Sequence, residues 1–248
     1  PCLESLELTY GDDQPIELRI RAEKLKSLYM DGDFINVLPE HTPCLVIISI
    51  DMLTVMDDEI ERLFPYLDCD FENFLRRVPK LERIVGGSYF TKLSAFFFPP
   101  ASISSLQHAQ VTHEHVKTIE LFDVEFRDFE EVRVVLRLIR SCPNVKSLKI
   151  SVARVKVDEM EDADTASLWD EDSPSSVVWS LDELKSVEFT SLCGAKYETE
   201  FIELVLLHSP RLEEFVISPS AAVRNTRFDF FVSLLAFTRA SPKASIHF

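Results

Sequence analysis

The chain has 248 residues, of which 46% are hydrophobic, so it is long enough to bury a sizeable core. Its formal net charge of −16 argues against a nucleic-acid partner, because binding a phosphate backbone requires a basic face. The sequence contains neither an apolar run of about eighteen residues nor a signal-peptide pattern at its start. These features predict a protein of the cytoplasm or nucleus with no membrane contact.

A single apolar frame recurs along the chain: proline, x, aliphatic, x, x, apolar, x, apolar. Residues two apart on a strand point to the same side, so the last two apolar residues of each frame are expected to lie on the buried side of a short strand. Four copies are complete: Pro1-Leu3-Leu6-Leu8, Pro43-Leu45-Ile48-Ile50, Pro143-Val145-Leu148-Ile150 and Pro210-Leu212-Phe215-Ile217. Copies without the proline are Leu25-Leu28-Met30, Val116-Ile119-Leu121 and Leu184-Val187-Phe189, and the partial copy Pro79-Leu81-Ile84 has Gly86 in its last position.

Between frames the apolar period becomes helical. Val132, Val135, Leu136 and Ile139 follow the i, i+3, i+4, i+7 spacing, which predicts an amphipathic helix beginning near Phe129. A similar pattern predicts a helix over Phe201, Leu204 and Val205. Each helix is expected to end before the next proline, because proline lacks an amide proton and disfavours helical geometry in the residue before it.

These units predict one α/β domain over residues 1–248. The anchors Leu3, Leu25 and Leu45 are separated by 22 and 20 residues, within the roughly 20–29 residues of leucine-rich repeats. We therefore predict a leucine-rich-repeat solenoid, with a curved parallel sheet on the concave face and helices on the convex face. A doubly wound sheet also alternates strands and helices, but it has no reason to repeat the spacing before each strand. Residues 157–177 crowd acidic side chains without a basic one and predict a solvated, flexible loop.

The carboxyl-terminal part of the chain carries a family resemblance. The stretches Leu184–Phe189, Glu200–Ile217 and Arg239–Phe248, above all Arg239-Ala240-Ser241-Pro242, resemble the FBD region of plant F-box/LRR proteins. That region corresponds to residues 180–248, and residues 136–150 are similar to the repeats that precede it. The resemblance implies a protein-binding domain that recognises substrates for an F-box type (SCF) ubiquitin ligase.

Members of that family usually begin with an F-box, which docks the Skp-type adaptor of a cullin ligase, and we recognise no F-box in this sequence. The resemblance therefore implies that an adaptor and a cullin bind only through an F-box, a module that this chain lacks. Two alternatives are a stand-alone binding or decoy solenoid without ligase linkage and a small-molecule co-receptor, as found among some plant F-box/LRR proteins. The co-receptor would need a deep polar pocket, which the serine-rich positions of the frame do not suggest.

The predicted binding surface consists of the strand residues that alternate with the buried ones. Tyr29 and Arg83 are of the types found most often as interface anchors, although a solvated surface position is the alternative for any one residue. The acidic balance of the chain favours a basic target. In the frame, the inner row is Glu7, Tyr29, Ser49, Val85, Glu120, Lys149, Glu188 and Val216, and the neighbouring row is Ser5, Ser27, Ile47, Arg83, Thr118, Ser147, Ser186 and Glu214. The residues chosen as partner-binding are Glu7, Tyr29, Ser49, Arg83, Val85, Glu120, Lys149, Glu188 and Glu214.

Two further clusters could bind a ligand. His113 and His115, with His108 nearby, would share one face of a strand and suggest a metal, but no third ligand is evident, and capping or surface histidines are the alternative. Arg133, Arg137 and Arg140 form a basic stripe on the first helix that could meet an acidic partner, but we expect it to be a solvated convex face paired locally with carboxylates such as Glu130.

Catalytic motifs are absent from the sequence, so we expect no enzymatic activity, no cofactor and no metal. The five cysteines form no C-x-x-C pair, which supports neither a zinc site nor a disulfide framework. Cys44 and Cys142 fall within the repeat frame and are expected to be small core residues.

Overall fold

A computed structural model describes residues 2–10, 16–32, 34–51, 75–87, 91, 112–153, 180–220, 232 and 234–248. The predicted acidic loop at 157–177 and the histidine at position 108 lie outside these residues. The strands are β1 (Ser5–Tyr10), β2 (Ile16–Arg21), β3 (Ser27–Gly32), β4 (Phe34–His41), β5 (Ile47–Asp51), β6 (Arg83–Gly86), β7 (Thr118–Val124), β8 (Ser147–Val152), β9 (Ser186–Leu192), β10 (Glu214–Pro219) and β11 (Ser245–His247). The helices are α1 (Phe129–Ser141) and α2 (Lys196–His208).

Nine of these strands form one parallel sheet in the order β1-β3-β5-β6-β7-β8-β9-β10-β11, while β2 and β4 form a separate parallel pair. Each strand of the large sheet pairs with the strands of the repeats before and after it, without the reversal of strand order that a doubly wound sheet requires. The fold is therefore the predicted leucine-rich-repeat solenoid.

The repeated frame is the core of the sheet. The aliphatic anchors and the two apolar residues that follow them are buried wherever a strand has a neighbour on both sides. The first frame differs, because β1 pairs with β3 alone: Leu3 is 48% exposed, and Leu6 and Leu8 are half-buried. The buried anchors are Leu25, Leu45, Leu81, Val116, Val145, Leu184 and Leu212.

In the large sheet, every strand from β3 to β11 is preceded by the same tight turn, which explains the position of the proline. The amide of Val145 donates to the carbonyl of Cys142 at 3.1 Å, so Pro143 occupies the second position of the turn, where its fixed φ is favourable. The amide of Leu45 bonds to Thr42 and that of Leu212 to Ser209 in the same way. The prolines thus end the helices, as predicted, and also shape the turn into the next strand.

The opposite side of the sheet is built differently along the chain. In the long repeats, α1 and α2 connect the strands as predicted. In the first repeats the connections contain β2 and β4 instead, because the 16 residues between Tyr10 and Ser27 leave too little chain for a long helix and two turns. Leu18 and Ile20 of β2 still join the core.

Aromatic residues fill the core beneath the two helices. The rings of Phe126 and Phe201 meet edge to face at 5.3 Å, and Phe201 also meets Phe189 at 5.7 Å between centroids. Phe189 stacks on Phe215 at 5.8 Å. All four side chains are at most 1% exposed, so the helices and strands of neighbouring repeats share one buried cluster.

The prediction that the arginine stripe on α1 is solvated is wrong. Arg133 is only 5% exposed, and Arg137 and Arg140 are half-buried. The buried hydroxyl of Thr91 donates to Glu131 of α1, so part of the connection between β6 and β7 covers this helix. The predicted local pair is present, because Arg133 Nη1 donates to both carboxylate oxygens of Glu130 at 2.8 Å.

Candidate protein-binding surface

The predicted inner row is a continuous line across the sheet. Strand register places its members opposite one another from β1 to β10 and adds a ninth residue, His247 of β11. We call the face that carries this line the concave face: it consists of the strand residues that alternate with the buried ones. In register, the row is Glu7, Tyr29, Ser49, Val85, Glu120, Lys149, Glu188, Val216 and His247.

The neighbouring row begins each strand and is also aligned as predicted. It contains the two remaining predicted residues, Arg83 and Glu214. The rest of the row is rich in hydroxyls, two of which bond to each other: Ser186 Oγ lies 3.0 Å from Ser147 Oγ. All nine residues predicted to bind a partner therefore lie on one face, and their binding role stays a prediction.

A third row on the concave face was missed by the frame. It lies two residues beyond the inner row, where Asp31 pairs in register with Asp51 and Ser151 with Thr190. On β7 the corresponding residue is Phe122, and after β6 it is Gly87. The signal was present in the sequence, because strands of five or more residues extend the alternation past the last apolar position of the frame.

Two strands of the third row carry a bulge. The register of β7 against β8 shifts by one residue between Leu121 and Val124, and Asp123 has the left-handed φ of 53°. The register of β9 shifts in the same place, where Ser191 has a φ of 65°. A bulge changes the direction of the side chains beside it. Next to the bulge in β7, Phe122 is 42% exposed.

Ion pairs join neighbouring strands in the middle of the concave face. Arg83 Nη2 lies 2.9 Å from Glu120 Oε1, and Lys149 Nζ lies 3.1 Å from Glu188 Oε2. Exposed pairs of this kind are each worth about 0–1 kcal/mol, so they stabilise the fold little. Their main effect is to neutralise the surface over β6 to β9.

The carboxylates of Asp31 and Asp123 interact electrostatically with that of Asp51 at the end of the face where β3, β5 and β7 finish. Burial raises the pKa of the Asp51 carboxyl above its usual value, and the negative charges of Asp31 and Asp123 raise it further. No cation forms an ion pair with these three groups in the part of the chain that the structure describes. This end of the concave face is therefore strongly acidic.

Cys193, which follows β9, is not an activated nucleophile. Burial and the charge of Glu198 raise the pKa of the Cys193 thiol to about 12, so it stays protonated at neutral pH. Glu198 itself is buried, which raises the pKa of its carboxyl. It accepts hydrogen bonds from the amides of Cys193, Gly194 and Ala195 at 3.0, 2.7 and 3.2 Å. These contacts satisfy orphan donors at the start of α2, which is a structural role.

Of the two cysteines placed in the repeat core, only Cys142 is buried; burial raises the pKa of its thiol to about 12. The prediction is wrong for Cys44, which is exposed. It follows Pro43 in the tight turn before β5, and the third residue of such a turn points to solvent while the fourth, Leu45, enters the core.

The histidines lie in the turn before β7 and not on a strand, so the shared strand face that a metal would need is not formed. The amide of His113 donates to the carbonyl of Ser141 at 2.7 Å, which ties this turn to the end of α1, and His115 is exposed. Among the described residues there is no group of three or more potential metal ligands. Within the same residues, no helix is long and apolar enough to cross a membrane.

Comparison with known proteins identifies a relative of this architecture. Over all 248 residues the chain is 37% identical to an F-box/FBD/LRR-repeat protein of Arabidopsis thaliana. The chain spans 56% of the length of that relative. No protein-family model matches the sequence. No solved structure matches it either.

This similarity confirms the resemblance to plant F-box/LRR proteins with an FBD region. Together with the parallel sheet of stacked repeats, it assigns the chain a leucine-rich-repeat architecture and a general role in binding other proteins.

Proposed function

We propose that this domain is the substrate-recognition part of an F-box type (SCF) ubiquitin-ligase receptor, and that it captures a basic protein on its concave face. The observation that carries the proposal is the 37% identity across the whole chain to an F-box/FBD/LRR-repeat protein. In such an arrangement a Skp-type adaptor and a cullin bind through an F-box outside this chain. The site of action would be the cytoplasm or the nucleus.

The domain acts by affinity and carries out no chemistry in this proposal. A nine-stranded sheet presents three rows of side chains in fixed register, so the spacing between contact residues is set by the fold. Tyr29 is 38% exposed in the inner row, and the side chain of Arg83 is 46% exposed in the neighbouring row. Both can be buried by a partner, and both are of the types that dominate interface energies.

The test is an affinity pull-down with the full-length protein, comparing wild type with the Tyr29→Ala/Arg83→Ala double variant. We expect the wild type to recover a target together with the adaptor and the cullin. The double variant should keep the adaptor and the cullin and lose the target, because only the concave face has changed.

A matched control removes an exposed apolar residue and an ion-paired arginine elsewhere. Leu207→Ala/Arg211→Ala does so, since Leu207 is 38% exposed on α2 and Arg211 pairs with Glu183. This control should retain the target. Recovery of a target without adaptor and cullin would contradict the ligase assignment and would favour the stand-alone binding solenoid. Equal loss of the target in both double variants would contradict the concave face as the binding surface.

A further inference from the structure

The charges on the concave face are divided unevenly between its two ends. The described part of the face carries seven carboxylates and two cations, and both cations are ion-paired over β6 to β9. Five carboxylates therefore have no counterion on the face. Four of these lie towards the β1 end, namely Glu7, Asp31, Asp51 and Asp123; the fifth is Glu214 on β10.

The unpaired carboxylates repel one another in the free protein. Asp31 and Asp51 are direct register partners on adjacent strands. The backbones of adjacent strands in a sheet lie about 4.8 Å apart. Partial burial is the main cause of the raised pKa of Asp51, and the repulsion from Asp31 adds to it. A bound cation would offset both the repulsion between the carboxylates and the cost of burying their charge. These strands therefore favour a positively charged ligand.

The Asp51 carboxylate lies directly against the backbone of the neighbouring strand. Gly87 follows β6 between Asp51 and the bulge of β7, and a Cβ placed on it would lie 2.8 Å from Asp51 Oδ1. A side chain at this position would therefore displace the carboxylate, so the glycine allows Asp51 to keep its place on the face. Tyr29 and Phe122, which are 38% and 42% exposed, provide aromatic rings on the same stretch of the face. Such rings attract ammonium and guanidinium groups.

We infer that the β1 to β7 end of the concave face docks an extended, lysine- or arginine-rich segment of the target. Its cationic side chains lie along the acidic half-face, which we define as Glu7, Tyr29, Asp31, Asp51, Gly87, Phe122 and Asp123. The inference rests on the proposed function, because it names the chemistry of the partner for the same surface. Strands β8 and β9, whose charges are paired with each other, contribute hydroxyls and shape.

The test measures binding of the full-length protein to a labelled peptide of alternating Lys and Ser by fluorescence anisotropy, with a Glu/Ser peptide of equal length for comparison. Wild type should bind the Lys/Ser peptide and not the Glu/Ser peptide, and its affinity should fall as salt is added. The variant Asp51→Asn/Asp123→Asn should lose about tenfold in affinity, because each exposed ion pair contributes roughly threefold.

Two further variants separate docking on this half-face from attraction to an acidic protein. Glu114→Gln/Glu203→Gln removes the same charge from residues off the concave face, neither of which forms an ion pair among the described residues, and should bind as wild type does. Gly87→Leu keeps every charge but displaces the Asp51 carboxylate, and should weaken binding. Circular dichroism verifies that each variant is folded.

A reversal of charge provides the sharpest outcome. Asp51→Lys/Asp123→Lys should bind the Glu/Ser peptide and reject the Lys/Ser peptide. Equal loss in the on-face and off-face neutral variants, or no binding of the Lys/Ser peptide by folded wild type, would overturn the inference. The proposed function would survive either result if the Tyr29→Ala/Arg83→Ala variant still lost its captured target, so the two failures are distinguishable.

Discussion

The two halves of the solenoid, β1 to β6 and β7 to β11, solve the same packing problem in different ways. In the second half, repeats of 28 and 29 residues, from Leu184 to Leu212 and from Val116 to Val145, each contain a 13-residue helix that covers an aromatic core. In the first half, the repeats from Leu3 to Leu25 and from Leu25 to Leu45, of 22 and 20 residues, have room for a strand where the helix would be.

The concave faces of the two halves also differ, in how many of their charges are paired. The second half pairs most of its charges, whereas the first half leaves carboxylates of Glu7, Asp31 and Asp51 without a counterion. We infer a division of labour, in which the helical half provides the stability, and the strand-backed half, together with Asp123 of the adjoining strand β7, provides the charge that selects a partner. The predictions below test each side of this division.

The largest expected effect is in the aromatic core of the second half. Phe201→Ala removes a ring that contacts both Phe126 and Phe189, so it should lower the free energy of unfolding by about 3–5 kcal/mol. Phe122→Ala, on the concave face, should change it by less than about 0.5 kcal/mol. Urea unfolding of both variants measures the difference, and similar losses for the two would contradict the assigned core.

Leu148→Ala tests the register of the frame itself. Leu148 is fully buried between Ile119 and Val187 of adjacent strands, and its truncation should cost about 2–5 kcal/mol. Leu8→Ala, on the half-buried strand β1, should cost less, because its surroundings are already partly solvated. A loss below about half a kcal/mol for Leu148→Ala in urea unfolding would count against the register.

Glu198→Ala should destabilise the start of α2. The substitution leaves the amides of Cys193, Gly194 and Ala195 without their charged acceptor, which costs about 1–3 kcal/mol. Glu203→Ala on the same helix is the control and should have little effect. Thermal unfolding measures the difference, and equal melting temperatures for the two variants would contradict this assignment.

Asp51→Asn should stabilise the protein slightly at neutral pH, by no more than about 0.5 kcal/mol. The folded state raises the pKa of Asp51, so ionisation of this group opposes folding wherever the pH lies above its folded-state pKa. The advantage of the variant should shrink as the pH falls through that pKa and vanish below the unfolded-state value. Chemical denaturation across pH measures it, and a growing advantage at acid pH would contradict the sign.

Thiol reactivity should distinguish the exposed cysteines from the less accessible ones, in the unmodified sequence and without any change in stability. Cys2 and Cys44 are exposed and should be alkylated by iodoacetamide in the folded protein. Cys142 and Cys193, whose thiol pKa values are raised to about 12, should remain protected until the protein unfolds. Mass spectrometry of the labelled peptides reports each site, and rapid labelling of Cys193 would contradict its environment.

The repeated frame was sufficient to predict the solenoid, the buried anchors and two rows of the concave face, because each depends on local alternation within a strand. It did not predict β2 and β4, because neither follows the spacing of the frame, although Ile16, Leu18 and Ile20 alternate with charged residues in β2 as in a half-buried strand. The burial of Arg133 was also missed, because a helical pattern does not reveal that a segment containing Thr91 covers the polar side.

The acidic half-face was missed for a related reason. Asp31, Asp51 and Asp123 are distant in the sequence and become neighbours only through strand register and the bulge after Leu121. Their carboxylates are inconspicuous among 42 acidic residues. The rows of the concave face could be derived from residue spacing. The carboxylates without a counterion could be identified only from the structure, which shows that Arg83 and Lys149 pair with other carboxylates.

Site-specific photo-crosslinking tests most directly whether the concave face binds the target. A benzophenone amino acid replaces Tyr29 in one full-length variant and Leu207 in another, two positions that are each 38% exposed. The account predicts a covalent adduct with the target from position 29 and none from position 207. An adduct from position 207 alone would contradict it and would place the binding surface on the helical side of the solenoid.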